Sequence, residues 1–290
     1  MNPFSTFVRE YLLALQFFTR IPVNGRLAGW VGYSPDLLRA SAAHFPGVGL
    51  LVGLAAALAY GLLITVLPDS LFSPLLAAVL STVLTVLLTG GFHEDGLADV
   101  ADGLGGSHDR DRALEIMKDS RVGAFGAMAL VLAILSKVLA LGLLGSLDVN
   151  YVEAVSDTAD VVTESVFSGW LVCAALFTAH VVSRGLPLLL IRWLPHVGHT
   201  GQSKSKPLAD RISLPRLLVA LAWSASGLLL ASTVLDAFSL AVACGFAIVA
   251  LLWMGRLFHR RLQGFTGDCL GAAQQVCEIA FYIGLSVSLA

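Results

Sequence analysis

Charge is what this sequence has least of. Only 13% of its 290 residues are Asp, Glu, Lys or Arg, about half the share found in a soluble domain. Strict alternation of polar and apolar residues is absent too, which argues against a membrane β-barrel. What fills the chain instead is apolar: 57% of residues are hydrophobic and the mean hydropathy is +0.81. Several uninterrupted apolar stretches exceed the roughly 20 residues a helix needs to cross a hydrocarbon core, where only helices or closed barrels satisfy their own backbone. The expected fold is all-α and polytopic: one domain over 1–290 with about seven transmembrane helices behind a short N-terminal amphipathic or re-entrant segment.

Other absences narrow the function. The four cysteines, Cys173, Cys244, Cys269 and Cys277, have no paired spacing, so neither a disulfide framework nor a zinc site is expected. No small-residue cleavage site follows a leader, and the first helices are expected to stay with the mature chain. No Gly-Lys-Ser/Thr follows the glycine-rich stretch, which excludes a P-loop. No repeat of fixed period and no pair of matched halves is evident, which counts against a transporter. The net charge of −2 points to no partner by itself, and nucleic acid is not expected as one.

The apolar spans fall at about 46–67, 75–93, 122–147, 166–193, 215–234, 237–256 and 270–289, with ends uncertain by ~2–4 residues. Lys and Arg are segregated between them. Arg9, Arg20, Arg26 and Arg39 lie in 1–45, and Arg110, Arg112, Lys118 and Arg121 in 94–121. Arg192, Lys204, Lys206, Arg211 and Arg216 lie in 192–216, and Arg256, Arg260 and Arg261 in 256–268. The alternate loops, 68–74, 148–165 and 235–236, hold none, although 148–165 carries Asp148, Glu153, Asp157, Asp160 and Glu164. By the positive-inside rule the N-terminus and the basic loops face the cytoplasm and the C-terminus faces out. Lys137 and Arg184 fall inside spans. Such groups usually face a polar interior, and either could partner Glu278, which lies deep in the last span.

The densest chemistry sits in 90–126. Asp95, Asp99 and Asp102 are spaced i, i+4, i+7, which on a helix places three carboxylates within about 60° of arc. Converging carboxylates repel unless a cation lies between them, and hard oxygen donors suit Mg²⁺ or Mn²⁺ bridging to substrate phosphates. A solvated acidic face would explain scattered acids. It explains less well three acids at one helical spacing beside a span in so uncharged a chain. Gly96, Gly103, Gly105 and Gly106 weaken the case for one continuous helix there. Lys118, Asp119 and Arg121 stand just before the third span. Positive-inside anchoring accounts for the cations, while phosphate neutralisation also accounts for Asp119 beside them. His93 abuts the acidic run and is a candidate to position it or accept a proton; His196 and His199 read as loop residues. Asp268, in Thr266-Gly267-Asp268, lies on the same side as the acidic loop.

These residues resemble the cobalamin synthase family, the adenosylcobinamide-GDP ribazoletransferases. The resemblance runs through Phe17-Phe18-Thr19-Arg20-Ile21-Pro22, Phe45-Pro46-Gly47-Val48-Gly49, the long motif HEDGLADVADGLGG at 93–106, RALEIMKDSRVG at 112–123, and TGDCLGAA at 266–273 on to Glu278. Val100 stands where a small hydroxyl residue is expected, and 195–210 match nothing. The resemblance implies transfer of phosphocobinamide from adenosylcobinamide-GDP to the 5′-hydroxyl of α-ribazole or α-ribazole 5′-phosphate. The products are adenosylcobalamin, or its 5′-phosphate, and GMP. It implies Mg²⁺ on Asp95, Asp99 and Asp102, with Asp95, Asp119 and His93 in catalytic roles. Lys118, Arg121, Arg20 and Asp268 are then expected to bind substrate. The setting is the lipid bilayer of a bacterial cytoplasmic (inner) membrane, with the active site on the cytoplasmic side and the number of subunits open. Two rivals remain at this point: a CDP-alcohol-type phosphotransferase, whose longer second acidic motif is missing, and a transporter.

Overall fold

The structure is a computed structural model that describes residues 2–155, 161–197 and 211–289, with only the backbone path described for 149–155 and 161–167. The expected features at Asp157, Asp160, His199, Lys204 and Lys206 lie outside the described residues. Among the described residues, six helices or helix pairs are long and apolar enough to cross a membrane, and a bent pair makes a seventh. The chain is therefore a multi-pass α-helical membrane protein, as expected.

Helix α1 (Pro3–Phe18) starts at Asn2, whose side chain accepts from the Phe4 N–H, and buries Leu13, Ala14 and Phe18 while Phe4 and Phe7 stay exposed. This is the amphipathic N-terminal segment. It is pinned by Glu10, which is buried and takes two hydrogen bonds from Arg216, one of them 2.7 Å long. Short helices α2 (Gly25–Val31) and α3 (Pro35–Ser41) lead into α4 (Phe45–Val66), and α5 (Ser73–Thr89) returns. Next come α6 (Phe92–Gly106), α7 (Arg110–Ile116) and α8 (Ala124–Leu147). Strands β1 (Val149–Val155) and β2 (Val161–Phe167) pair antiparallel, with Val149 opposite Phe167. Thus the acidic connection read as a plain loop is a β-hairpin, rich in the β-branched residues that favour strands.

Helix α9 (Trp170–Gly185) gives way at Leu186-Pro187 to α10 (Leu188–Trp193), because proline has no N–H to continue the ladder. Helices α11 (Leu214–Ala231), α12 (Ala237–Leu262) and α13 (Gly267–Ser288) complete the bundle. Helix α12 runs past the expected end at 256 and takes Arg256, Arg260 and Arg261 into its last turns.

Small residues set the packing, as they do where lipid supplies no hydrophobic drive between helices. Gly49, Gly53, Ala57 and Gly61 recur every fourth residue on the α4 face turned to α9. A Cβ at Gly53 would come 2.7 Å from the Phe177 carbonyl oxygen, and the Cys173 thiol reaches the Ala57 carbonyl at 3.2 Å. The α9–α10 span is 78% buried and α13 72%, against 17% for α11. Hence α9 and α13 are the central helices and the others present a lipid-facing side.

The basic segments gather at one end of this bundle. There Arg110 Nε donates to the Leu262 carbonyl at 2.7 Å, Arg261 reaches the Ser107 carbonyl at 2.7 Å, and His196 makes an isolated β-bridge with Phe265. The β-hairpin and the 67–73 turn lie at the other end, where Asp148 bonds to Ser168 and caps α9 through the Leu171 N–H at 2.9 Å.

Candidate active site

The acidic run begins at a sharp corner. Gly90 and Gly91 both have positive φ, 72° and 70°, a backbone conformation that a side chain rarely adopts. The chain bends there by 90° between α5 and α6. The expected span to 93 therefore ends at Thr89, and His93 and the acids belong to a new helix. Arg20 is exposed beside this corner: its N–H donates to Leu88 at 2.7 Å and its guanidinium lies over Gly90. Helix α6 is continuous despite its glycines, and each glycine in it admits a neighbour. Gly96 meets the Asp268 backbone and Gly103 meets α7. Glu94 and Asp95 in the first turn also suit the positive end of the helix dipole.

Down the aspartate face, exposure falls from Asp95, which is exposed, through half-covered Asp99 to buried Asp102. The charges bearing on Asp99 are those of Asp268, Asp95 and Asp102, in that order. Asp268 stands in the first turn of α13, which Thr266 caps, and the Thr266 hydroxyl also reaches its carboxylate at 3.3 Å. The structure thus brings Asp268 to Asp95 and Asp99.

Asp102 departs from the role expected of it. One carboxylate oxygen accepts from Gly123 N–H at 2.7 Å and the other from Gly126 N–H at 2.8 Å. These amides are at the N-cap and third position of α8, so a side chain from α6 supplies the cap that Gly123 cannot. Among the described residues no three His, Cys, Asp or Glu side chains converge as a ready metal site. Mg²⁺ does not require such a cage: it keeps several waters and is held by one or two carboxylates plus substrate phosphates. The donor set of Asp95, Asp99 and Asp268 fits that habit.

His93 sits two residues before Asp95, about 160° around the helix from the aspartate face. It is 1% exposed, stacks on Phe45 with ring centroids 5.5 Å apart, and its Nε2 has no hydrogen-bond partner among the described residues. It lines a narrow apolar cleft with Phe17, Phe18, Phe45, Phe92 and Leu270.

The α7–α8 connection holds the cations. Lys118 is exposed. Arg121 grips Asp119 through Nη2 at 2.5 Å and Nε at 3.0 Å, and its own N–H adds a third bond at 3.1 Å. The Arg121 side-chain hydrogen bond, more than any other influence, holds the Asp119 carboxyl at about 2. No hydrogen bond or ion pair joins Lys118 or Arg121 to Asp95 or Asp99 among the described residues.

Sequence reasoning did not single out Glu94, whose Oε1 accepts from Gln275 at 3.1 Å and whose Oε2 is buried without a partner among the described residues. Its signal was adjacency to Asp95. Nor did it give roles to Arg110 and Arg261, which close the carbonyl ends of α12 and α6.

The family described as cobalamin-5-phosphate synthase matches residues 10–286. The chain belongs to the cobalamin-5-phosphate synthase family. Among curated relatives, the adenosylcobinamide-GDP ribazoletransferase of Polaromonas sp. (strain JS666) is 71% identical, with 100% of both chains covered. That of Albidiferax ferrireducens is 57% identical over 98% of this chain and 100% of its own. That of Vibrio cholerae is 40% identical over 94% of this chain and 91% of its own. No solved structure matches this member of the cobalamin-5-phosphate synthase family.

Proposed function

We propose that this protein transfers the phosphocobinamide group of adenosylcobinamide-GDP to the 5′-hydroxyl of α-ribazole or its 5′-phosphate, in late cobalamin biosynthesis. The observation that carries the reading is the α6 aspartate face, set against Asp268 at the basic end of a membrane bundle in a chain of this family. The hydroxyl attacks the phosphorus attached to cobinamide, and GMP leaves from the phosphoanhydride. Such a transfer needs in-line positioning and charge neutralisation more than covalent help.

Asp95 and Asp99, with Asp268 facing them, are the residues to hold Mg²⁺. When bound, the ion supplies positive charge to the diphosphate oxygens. Lys118, Arg121 and Arg20 serve the phosphates: Lys118 is exposed, and Arg121 is oriented by Asp119. With its carboxyl at about 2, Asp119 is poorly matched to take a proton near neutral pH, since a base works best with a pKa near the operating pH. Its role in this reading is to aim Arg121. Asp102 holds the start of α8 in place, and His93 backs α6 through its stack on Phe45.

The segregation of Lys and Arg supports the inner-membrane orientation with N-terminus, α6, α7 and the α12–α13 turn on the cytoplasmic side. The test is detergent-purified protein given adenosylcobinamide-GDP, each ribazole form and Mg²⁺, with GMP and the cobalamin product followed by chromatography, with and without EDTA. Both products, in metal-dependent amounts, support the reading. Folded protein that makes neither product with either acceptor overturns it.

A further inference from the structure

The bundle interior holds a polar string that spanning a membrane does not require. Glu278 of α13 is 1% exposed, and four side chains converge on its carboxylate. Lys137 Nζ of α8 stands 2.6 Å from one oxygen and Tyr282 donates to the same oxygen at 3.1 Å. Gln274 donates to the other oxygen at 2.6 Å, and His180 Nδ1 of α9 is 3.4 Å from it. The string continues outward. Gln275 donates to the Gln274 side-chain amide oxygen, Oε1, at 3.0 Å and to Glu94 of α6 at 3.1 Å. Hydrogen bonds therefore run without a gap from Lys137 to the residue beside Asp95.

Buried ion pairs are weak as sources of stability, because apolar side chains of similar volume fill the same space as well. Inside a membrane they are rarer still, and mark function or a fixed arrangement. Here the string crosses the three helices that carry the site: α6 with Asp95 and Asp99, α13 with Asp268, and α8, whose start Asp102 caps. It does so about 15 Å along α13 from Asp268, at 1.5 Å per residue. We propose that the Glu278-centred network is the positioning element of the site: it sets the register of α13 against α6 and α8, and so where Asp268 stands relative to Asp95 and Asp99. The inference rests on the reading of those aspartates as the reacting centre. Its leverage is large, since a slip of one helical position moves Asp268 by about 1.5 Å, and a misplacement of ~1 Å can reduce a rate by ~10²-fold.

The test compares the parent protein with a Lys137→Met/Glu278→Met double variant, which removes the two paired charges together and leaves buried Arg184 with Glu94 as its remaining counter-charge. Thermal midpoint in detergent, hydrogen exchange of residues 92–106, and kcat and KM for adenosylcobinamide-GDP are measured. The expected result is a folded variant with a lowered midpoint, since Tyr282 and Gln274 lose their acceptor, α6 amides exchanging roughly 10-fold faster or more, and kcat down by roughly 10-fold or more with KM within about 2-fold. Unchanged α6 exchange in a folded variant overturns the proposal, as does parental kcat. Loosened α6 in the variant, with a parent that makes no product, leaves the positioning role standing and overturns the transferase reading instead. If the double variant does not fold, Gln275→Ala, which cuts the string between Glu94 and Gln274 and leaves the ion pair alone, is judged by the same measurements and the same outcomes.

Discussion

The Asp102 carboxylate accepts the Gly126 N–H at 2.8 Å, across 24 residues of chain. This bond, with its twin to Gly123, makes one acid of the aspartate face a helix cap. Asp102→Ala is expected to leave the buried Gly126 N–H without a partner, to hand the exposed Gly123 N–H to solvent, and to destabilise the protein by about 1–3 kcal/mol. The Mg²⁺ concentration for half-maximal activity should stay near the parent's in the fraction that folds. Thermal unfolding in detergent and a metal titration check both. A folded, fully stable Asp102→Ala with a raised metal requirement would return Asp102 to the metal set.

Asp95→Asn and Asp99→Asn should behave in the opposite way. Each removes a negative charge from a cluster in which Asp268, Asp95 and Asp99 bear on one another, so the thermal midpoint should hold or rise. Activity should fall by roughly 10²-fold or more, as for loss of a group that stabilises transition-state charge. EDTA should silence the parent, and Mg²⁺ or Mn²⁺ should restore it. A variant with full turnover at low Mg²⁺ would take its residue out of the metal set.

Much of this arrangement was legible in the sequence, and what was not has definite causes. Hydropathy located the spans, because length and apolarity are what a bilayer requires. It misplaced the end of α5: Phe92 extends the apolar pattern, and the break comes from two positive-φ glycines that hydropathy does not weigh. It stopped α12 early, since Arg260 and Arg261 read as loop charges although Arg261 is a helical side chain capping α6. Helical spacing put Asp95, Asp99 and Asp102 on one face, but a period says nothing about which helix lies opposite. Asp102 meets α8 while Asp99 meets the charge of α13's Asp268. Glu278 was expected to need Lys137 or Arg184, and the structure selects Lys137, with Arg184 reaching His180 at 2.8 Å.

Arg121 and Asp119 form an exposed pair, and their value should show in binding rather than stability. Asp119 has a depressed pKa of about 2 against 3.8. The pair's contribution is therefore complete above about pH 3.8 and fades only as pH falls towards about 2. Through neutral pH it is constant, and exposed pairs contribute little in any case. Arg121→Ala should raise KM for adenosylcobinamide-GDP by about 10-fold with an unchanged thermal midpoint. Asp119→Asn should weaken the same binding and leave the shape of the pH–rate profile between roughly pH 6 and 9 as it was. Loss of the basic limb in Asp119→Asn would instead make Asp119 the base.

Gly96 is where α6 comes closest to the residue it must face. A Cβ there would lie 2.8 Å from the Asp268 carbonyl oxygen and 3.1 Å from its Cα, backbone atoms that cannot rotate away. Gly96→Ala should therefore push α6 off the start of α13, separating Asp99 from Asp268, and reduce kcat by roughly 10-fold or more. Gly96→Val should do so further. The control is Gly245 in α12, where a Cβ meets nothing within 4 Å. Gly245→Ala should keep full activity and stabilise its helix by about 0.5–1 kcal/mol, because alanine loses less backbone freedom on folding. Kinetics and thermal midpoints of the variants side by side decide the matter. Parental kcat in Gly96→Ala would mean that the close approach of α6 to Asp268 is packing alone, and that the reacting groups lie further along the aspartate face.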